Sequence, residues 1–298
     1  MSAENVTGTG RGCSIGGAYP VTVSFPAPDP ATVTTDAPVA YEPPARARWG
    51  LLETGIGLAV LVVVLFGGGT VLSFIPGLDP NSGQFWFGLI AYGLVVVYLV
   101  IVSFTRGQRS LVKDFGLRFR WIDLPLGLGI AVVARVLSAA FVLIATGFTG
   151  NLPEGGNVQL GDDKLWAALY GILIGSLLAP FVEELFFRGL VLRGVRHAVL
   201  RGPGRLRPQP ASPDVQKWAS GIAIVMSAGL FAALHYNSAF DPTLVIALTL
   251  STFAFGLLNA IVTVRTGRMG AAIIAHVLFN GFAIGVLLVF GDAIADLT

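Results

Sequence analysis

Residues 165–187 read LWAALYGILIGSLLAPFVEELFF, eighteen uncharged residues from Leu165 to Val182 followed by two adjacent glutamates, Glu183 and Glu184. A bilayer core of about 30 Å asks for roughly 20 such residues per helix. Working outward, six more runs of the same kind appear at 51–75, 85–104, 124–147, 218–235, 243–264 and 270–290. No soluble fold needs so many, and in lipid the backbone polar groups must be satisfied within each run, so each reads as a helix. The expected fold is all-α, a polytopic membrane helix bundle of about seven transmembrane helices.

Composition agrees. Of 298 residues, 54% are hydrophobic and 12% charged, against about 25% charged in an ordinary soluble domain. This excludes a disordered chain and a typical cytosolic enzyme. The net charge of +2 gives no reason to expect a nucleic-acid partner. The single cysteine, Cys13, permits no internal disulfide and no Cys-rich zinc site. Residues 1–48 are rich in Pro, Thr, Ala and Gly, show no helical period and read as a disordered cytoplasmic tail. Residues 49–298 form the membrane domain. The richness in Gly, Ala, Val and Arg suggests a bacterial chain.

The loops alternate in charge. Arg46 and Arg48 precede the first run, and Asp79 follows it. The third loop carries Arg106, Arg109, Lys113, Arg118 and Arg120, and the fourth Glu154, Asp162 and Asp163 against Lys164. The fifth has Arg193, Arg196, Arg201, Arg205, Arg207 and Lys217, the sixth Asp241, the seventh Arg265 and Arg268, and the tail Asp292 and Asp296. By the positive-inside rule the N-terminus is cytoplasmic and the C-terminus outside, in a multi-pass protein of the cell membrane. The fifth loop reads as a flexible connection with topological, lipid-facing charges, and His197 within it is given no role.

Inside the runs an ionisable residue costs several kcal/mol unless it is paired or wet. Few occur. Glu184 and Arg188 are four apart and share a helix face, so they can neutralise each other. Glu183 points about 100° away and has no such partner, which frees it to take and give protons. His235 ends the fifth run, and His276 and Asn280 share a face of the seventh. Arg135, mid-way along the third, could balance Glu183, contact a substrate carboxylate, line the same cavity or form a buried ion pair. Ser176 reads as a helix-packing residue.

Two imidazoles, a free carboxylate and an amide donor are the parts of a water-activating site. Glu183 can deprotonate water, and His235 can orient that water or ligate a metal that acidifies it. His276 and Asn280 can stabilise an oxyanion. Glu183, His235 and His276 could together hold Zn2+ with an open position, or Glu183 could act without metal.

The order EELFFR (Glu183–Arg188), FAALH (Phe231–His235) and HVLFN (His276–Asn280) resembles the family of CAAX proteases and bacteriocin-processing enzymes, related to the type II CAAX prenyl endopeptidase. The resemblance covers about residues 114–290, including RTGRMGAAIIA ahead of His276. It implies an intramembrane endopeptidase acting on a peptide or protein substrate at the lipid bilayer. Glu183 would be the catalytic carboxylate, His235 its partner on the water and His276 and Asn280 the oxyanion donors, with Glu184 and Arg188 supporting. Two other readings compete: a non-catalytic immunity or scaffold protein binding a peptide in the same cavity, and a proton-coupled transporter, for which no repeated halves are seen.

Straight spans create a tension. His276 falls about 9 Å into its run and His235 about 25 Å into its own, so the two would not meet. Either the fifth helix is tilted or begins well below the membrane surface, or the cavity is deep, and a fourth helix continuing to about Arg196 would place Glu183 deeper. The expectation is that the helix ends, and not the site, are misread.

Overall fold

A bilayer core offers no water to backbone N–H and C=O groups, which leaves the helix as the form open to such runs. Every regular element in the described part of this computed structural model is a helix. The described residues are 48–74, 80–152, 163–202, 211–235 and 241–295. All of the expected tail at 1–48 except Arg48, Cys13 included, and the Pro- and Gly-rich part of the fifth loop lie outside them.

Eight helices are named here in chain order. They are α1 (Leu51–Ser73), α2 (Pro80–Arg106), the short α3 (Leu111–Phe115), α4 (Asp123–Thr149), α5 (Lys164–Arg201), α6 (Pro213–Leu234), α7 (Pro242–Thr266) and α8 (Gly270–Ala295). Six are long and apolar enough to cross a membrane: α2 and α4 through α8. The stretch Leu51–Val64 of α1 is a shorter apolar helix. The bundle turns large apolar side chains outward, among them Trp121, Phe148 and Trp218 near helix ends. Such a surface suits lipid rather than water.

Helix starts follow capping rules. Asp163, Ser212 and Asp241 accept backbone N–H bonds from the first turns of α5, α6 and α7, and proline stands at the first position of α6 and α7. Gly267 takes φ 68° to end α7, a conformation that favours glycine, and α8 begins three residues later. The resulting turn is clamped by the segment between α3 and α4. Met269 and Gly270 donate to the carbonyls of Gly116 and Arg118, and Arg268 grips buried Asp123 with Nη2–Oδ1 at 2.6 Å. That clamp fixes where α8 starts, and so where His276 stands.

The structure moves four expected helix ends by five residues or more: α2 starts at Pro80 rather than Phe85 and α8 runs to Ala295 rather than Phe290, and the other two bear on the site. The fourth run does not stop near Phe187: α5 continues through Arg188 to Arg201. The fifth helix starts at Pro213 rather than Trp218. An arginine marks a membrane border only when it is exposed. Here Arg188, Arg193 and Arg196 are buried. Arg193 donates to the Gly267 carbonyl and Arg196 to Ser220 Oγ. His197, expected in a loop, lies in α5 with its ring 4.7 Å from that of buried Trp49. The expectation of a flexible, lipid-facing fifth loop from Arg193 onward is therefore corrected as far as Arg201. Beyond it, Lys217 sits in the first turns of α6, exposed and 3.7 Å from Asp214.

These ends resolve the depth tension. Counted from its Arg201 end, Glu183 is about 27 Å along α5, and His235 is about 33 Å along α6 from Pro213, while His276 is only about 9 Å into α8. The α5–α6 hairpin therefore projects beyond the start of α8, and the three side chains reach one level.

Candidate active site

α5 is not a uniform helix. Two stretches, Tyr170–Leu178 and Leu185–Val191, are wound more widely as π-helix. The N–H of Ala179 reaches the carbonyl of Ile174, and that of Leu192 reaches Phe187, each five residues back. Between them stands one ordinary turn and a half, Ala179–Glu184, which carries both glutamates. Wide turns of this kind recur at functional sites because they re-aim side chains.

The two glutamates face different surroundings. Glu184 is fully buried and pairs with Arg188, Nε–Oε2 3.0 Å, with both side chains inaccessible. Its other oxygen accepts from His276 Nδ1 at 2.9 Å and from Asn259 Nδ2 at 3.2 Å. Arg188 is held further by the Gly256 carbonyl at 3.3 Å and by the face of Phe231, 4.7 Å away. Glycine at 256 matters: a Cβ there would meet Ala228 Cα of α6 at 3.1 Å, so α6 and α7 approach through small residues.

Glu183 is partly accessible. Tyr92 of α2 donates to its Oε1 at 2.9 Å. Its Oε2 faces two imidazoles, His235 Nε2 at 3.7 Å and His276 Nε2 at 3.8 Å. Both rings are oriented from behind. His235 Nδ1 lies 2.7 Å from the Phe231 carbonyl and His276 Nδ1 lies on Glu184. Each Nδ1 thus donates to the oxygen behind it, and each ring turns its Nε2 toward Glu183. Phe231 and Phe255 pack against these rings, with centroids 4.2 Å from His235 and 5.0 Å from His276.

Beside the imidazoles lies a cavity of about 220 Å³ whose walls include His235, His276, Asn280 and Arg135. Glu183 itself does not line it. Asn280 gives one N–H of its Nδ2 to the Gly175 carbonyl at 3.0 Å, and the amide has a second. Arg135 does not pair with Glu183. It donates to the Phe279 carbonyl and lies 3.8 Å over the Phe279 ring. Ser176 bonds within its own helix, to the Gly171 carbonyl at 3.0 Å.

The expected residues thus fall into one neighbourhood: Glu183, His235 and His276 face one another, Glu184 and Arg188 stand behind His276, and Asn280 lines the cavity. Tyr92 and Asn259 were missed. Asn259 had a signal, a lone amide in an apolar run, and the same cost argument applied to the glutamates would have found it. Tyr92 had none, since tyrosine in a membrane run is unremarkable.

As a metal site the group has suitable donors, two imidazoles and a carboxylate. Its spacing is slightly wide. Ligands at 2.0–2.2 Å around tetrahedral Zn2+ stand about 3.3–3.6 Å apart, against 3.7 and 3.8 Å here. Among the described residues no group of three His, Cys, Asp or Glu is arranged to hold a metal ion.

A polytopic helical membrane protein with a carboxylate–imidazole site is the class these observations define. Residues 165–282 match the family model described as type II CAAX prenyl endopeptidase Rce1-like. The matched segment contains Glu183, Glu184, Arg188, His235, Asn259, His276 and Asn280, and ends eight residues before the last predicted span does. No curated protein and no solved structure matches the chain.

Proposed function

We propose that this protein is an intramembrane endopeptidase of the CAAX-protease type that hydrolyses a peptide bond with water activated by Glu183. The observation that carries the reading is the approach of Nε2 from both His235 and His276 to Glu183 Oε2, beside a cavity those rings wall. A water molecule within hydrogen-bond reach of these three atoms gives one proton to Glu183, and its oxygen attacks the scissile carbonyl carbon. The new C–O bond forms a tetrahedral intermediate. The second N–H of Asn280 stabilises the oxyanion, and His276 does so through Nε2–H, on a proton drawn from solvent before the water attacks and kept through the cycle, while Glu184 holds its Nδ1–H. The C–N bond then breaks, and Glu183 returns its proton to the leaving amine. Glu184 and Arg188 act by holding His276, and Tyr92 by holding Glu183. No step is routed through a metal.

The alternating loop charges support a cytoplasmic N-terminus and external C-terminus, with a peptide or protein substrate drawn from the membrane or its cytoplasmic face. Glu183→Gln is the test: it removes the proton acceptor and keeps the shape. The variant is expected to fold and to bind peptide normally but to lose cleavage. Full biological activity in that variant would instead support a scaffold that binds in the same cavity.

A further inference from the structure

α7 crosses a membrane interior, where an amide is costly unless both of its ends are satisfied. Asn259 stands on this helix with no exposed surface. Its Nδ2 donates to Glu184 Oε1 at 3.2 Å, while its Oδ1 is buried with no hydrogen-bond partner. An apolar side chain would fill the place without that cost, and the flanking Leu257, Leu258, Ala260 and Ile261 are all of that kind. Stability alone therefore does not account for an amide here, and an unpaired buried acceptor calls for another reason.

That reason lies in how the Glu184 carboxylate is held. Arg188 Nε grips Oε2 at 3.0 Å. On Oε1 stand His276 Nδ1 at 2.9 Å and Asn259 Nδ2 at 3.2 Å. The last torsion of a glutamate side chain is broad, so a carboxylate gripped at one oxygen can turn about that grip. His276 cannot supply the second grip, because its own ring is what Glu184 orients. Asn259 can, since it comes from a different helix. One turn before it, the Gly256 carbonyl accepts from Arg188 Nη2 at 3.3 Å. Residues three apart share a helix face, so α7 holds both members of the α5 ion pair from one side. The same helix sets Phe255 edge-on against the His276 ring, with centroids 5.0 Å apart and planes at 71°.

We infer that Asn259 is a positioning residue for the hydrolytic site: by holding Glu184 Oε1 it keeps the His276 ring with Nδ1–H turned inward and Nε2 turned to Glu183 Oε2, 3.8 Å away. Asn259 does not line the cavity and acts through Glu184 alone. The inference rests on the endopeptidase reading for its effect on rate, but the His276 ring reports it separately.

The chain has three histidines, so labelling histidine with heavy nitrogen leaves few rings to follow by solid-state NMR of the full chain in liposomes. The His276 signals are assigned by their loss in His276→Gln. Asn259→Leu removes the amide and keeps its bulk. The unaltered chain is expected to show His276 in one state, with Nδ1 protonated. Asn259→Leu adds a second state with Nδ1 unprotonated, in about a tenth of the molecules or more. His235, held by the Phe231 carbonyl, keeps its signals. On an internally quenched peptide of valine and leucine, kcat falls about tenfold while KM stays within about twofold. The thermal midpoint stays within about 3 °C. A single His276 state in Asn259→Leu with kcat within about twofold of the unaltered chain overturns the inference. So does a general loosening, in which the His235 and His276 signals change together and the midpoint falls. Asn259→Ala carries the same expectations if the Asn259→Leu chain does not assemble, and if neither assembles Asn259 is a folding residue and the inference falls. Absence of cleavage by the unaltered chain fails the endopeptidase reading alone, and the ring signals then decide the inference.

Discussion

Replacing Arg188 with methionine keeps most of the side chain's bulk but strips the charge that faces Glu184. The pair is fully inaccessible, at 3.0 Å, so Glu184 would be left as a buried anion without its cation. Breaking a buried pair from one side costs about 3–5 kcal/mol. The lost cation–π contact with Phe231 at 4.7 Å adds about 0.5–2 kcal/mol. Cavity cost is small because methionine fills irregular space. A loss of about 4 kcal/mol is therefore expected for Arg188→Met. Glu184→Gln combined with Arg188→Met removes both charges, and glutamine can still accept from Asn259. Neutral replacement of a buried pair is often tolerated, so the double variant should recover about half the loss or more. The assay is reversible unfolding in mixed micelles of rising SDS fraction, followed by helicity, over the full double-mutant cycle. The two sites should couple by at least ~2 kcal/mol. If Arg188→Met costs under ~1 kcal/mol, or the double variant is less stable than both singles, the buried-pair account of this cluster is wrong.

Other perturbations reach separate parts of the structure. Tyr92→Phe removes the donor to Glu183 Oε1, and kcat should fall about tenfold, equivalent to ~1.4 kcal/mol, with KM nearly unchanged; a drop in KM affinity instead would place Tyr92 in substrate binding. Gly57→Val should destabilise α1 by about 1–3 kcal/mol, since a Cβ there meets Tyr98 and Phe186 at 2.8 and 2.9 Å; thermal unfolding of the purified chain reads this. Asp123→Ala should free the α7–α8 turn by stranding Arg268, lowering stability by about 3 kcal/mol and raising hydrogen exchange at Met269 and Gly270. Single cysteines placed in a Cys13→Ser background at Arg106 and Asn151 should react with a membrane-impermeant reagent in intact cells at Asn151 and not at Arg106; the reverse result inverts the proposed topology.

The parts of the site most legible in sequence were those fixed by helical spacing. Glu184 and Arg188 pair as their four-residue separation required. Glu183 turns elsewhere, and the rare polar groups at His235, His276 and Asn280 gather because a membrane interior leaves them few affordable positions. What escaped notice depends on partners distant in sequence. The π-helical turns of α5 arise in an apolar run whose composition carries no mark of them. Trp49 lies under His197 across about 150 residues, and nothing near either residue announces that contact. Arg193 and Arg196 are expected in a loop, where charges are normally solvated, and the acids Asp114 and Asp123 draw no reading from the sequence at all. In fact Asp114 is buried and held by Ser103 Oγ at 2.6 Å and by the Gln108 N–H, so the sign of a charge was visible but its burial was not.

The central claim is that Glu183 drives water onto a peptide bond. It is tested most directly by turning over an apolar peptide in water enriched in heavy oxygen and weighing the products. The account predicts one heavy oxygen in each newly formed carboxylate with Glu183 in place, and no product with Glu183→Gln in a chain of unchanged helicity. Labelled product at an undiminished rate from the Glu183→Gln chain would contradict it.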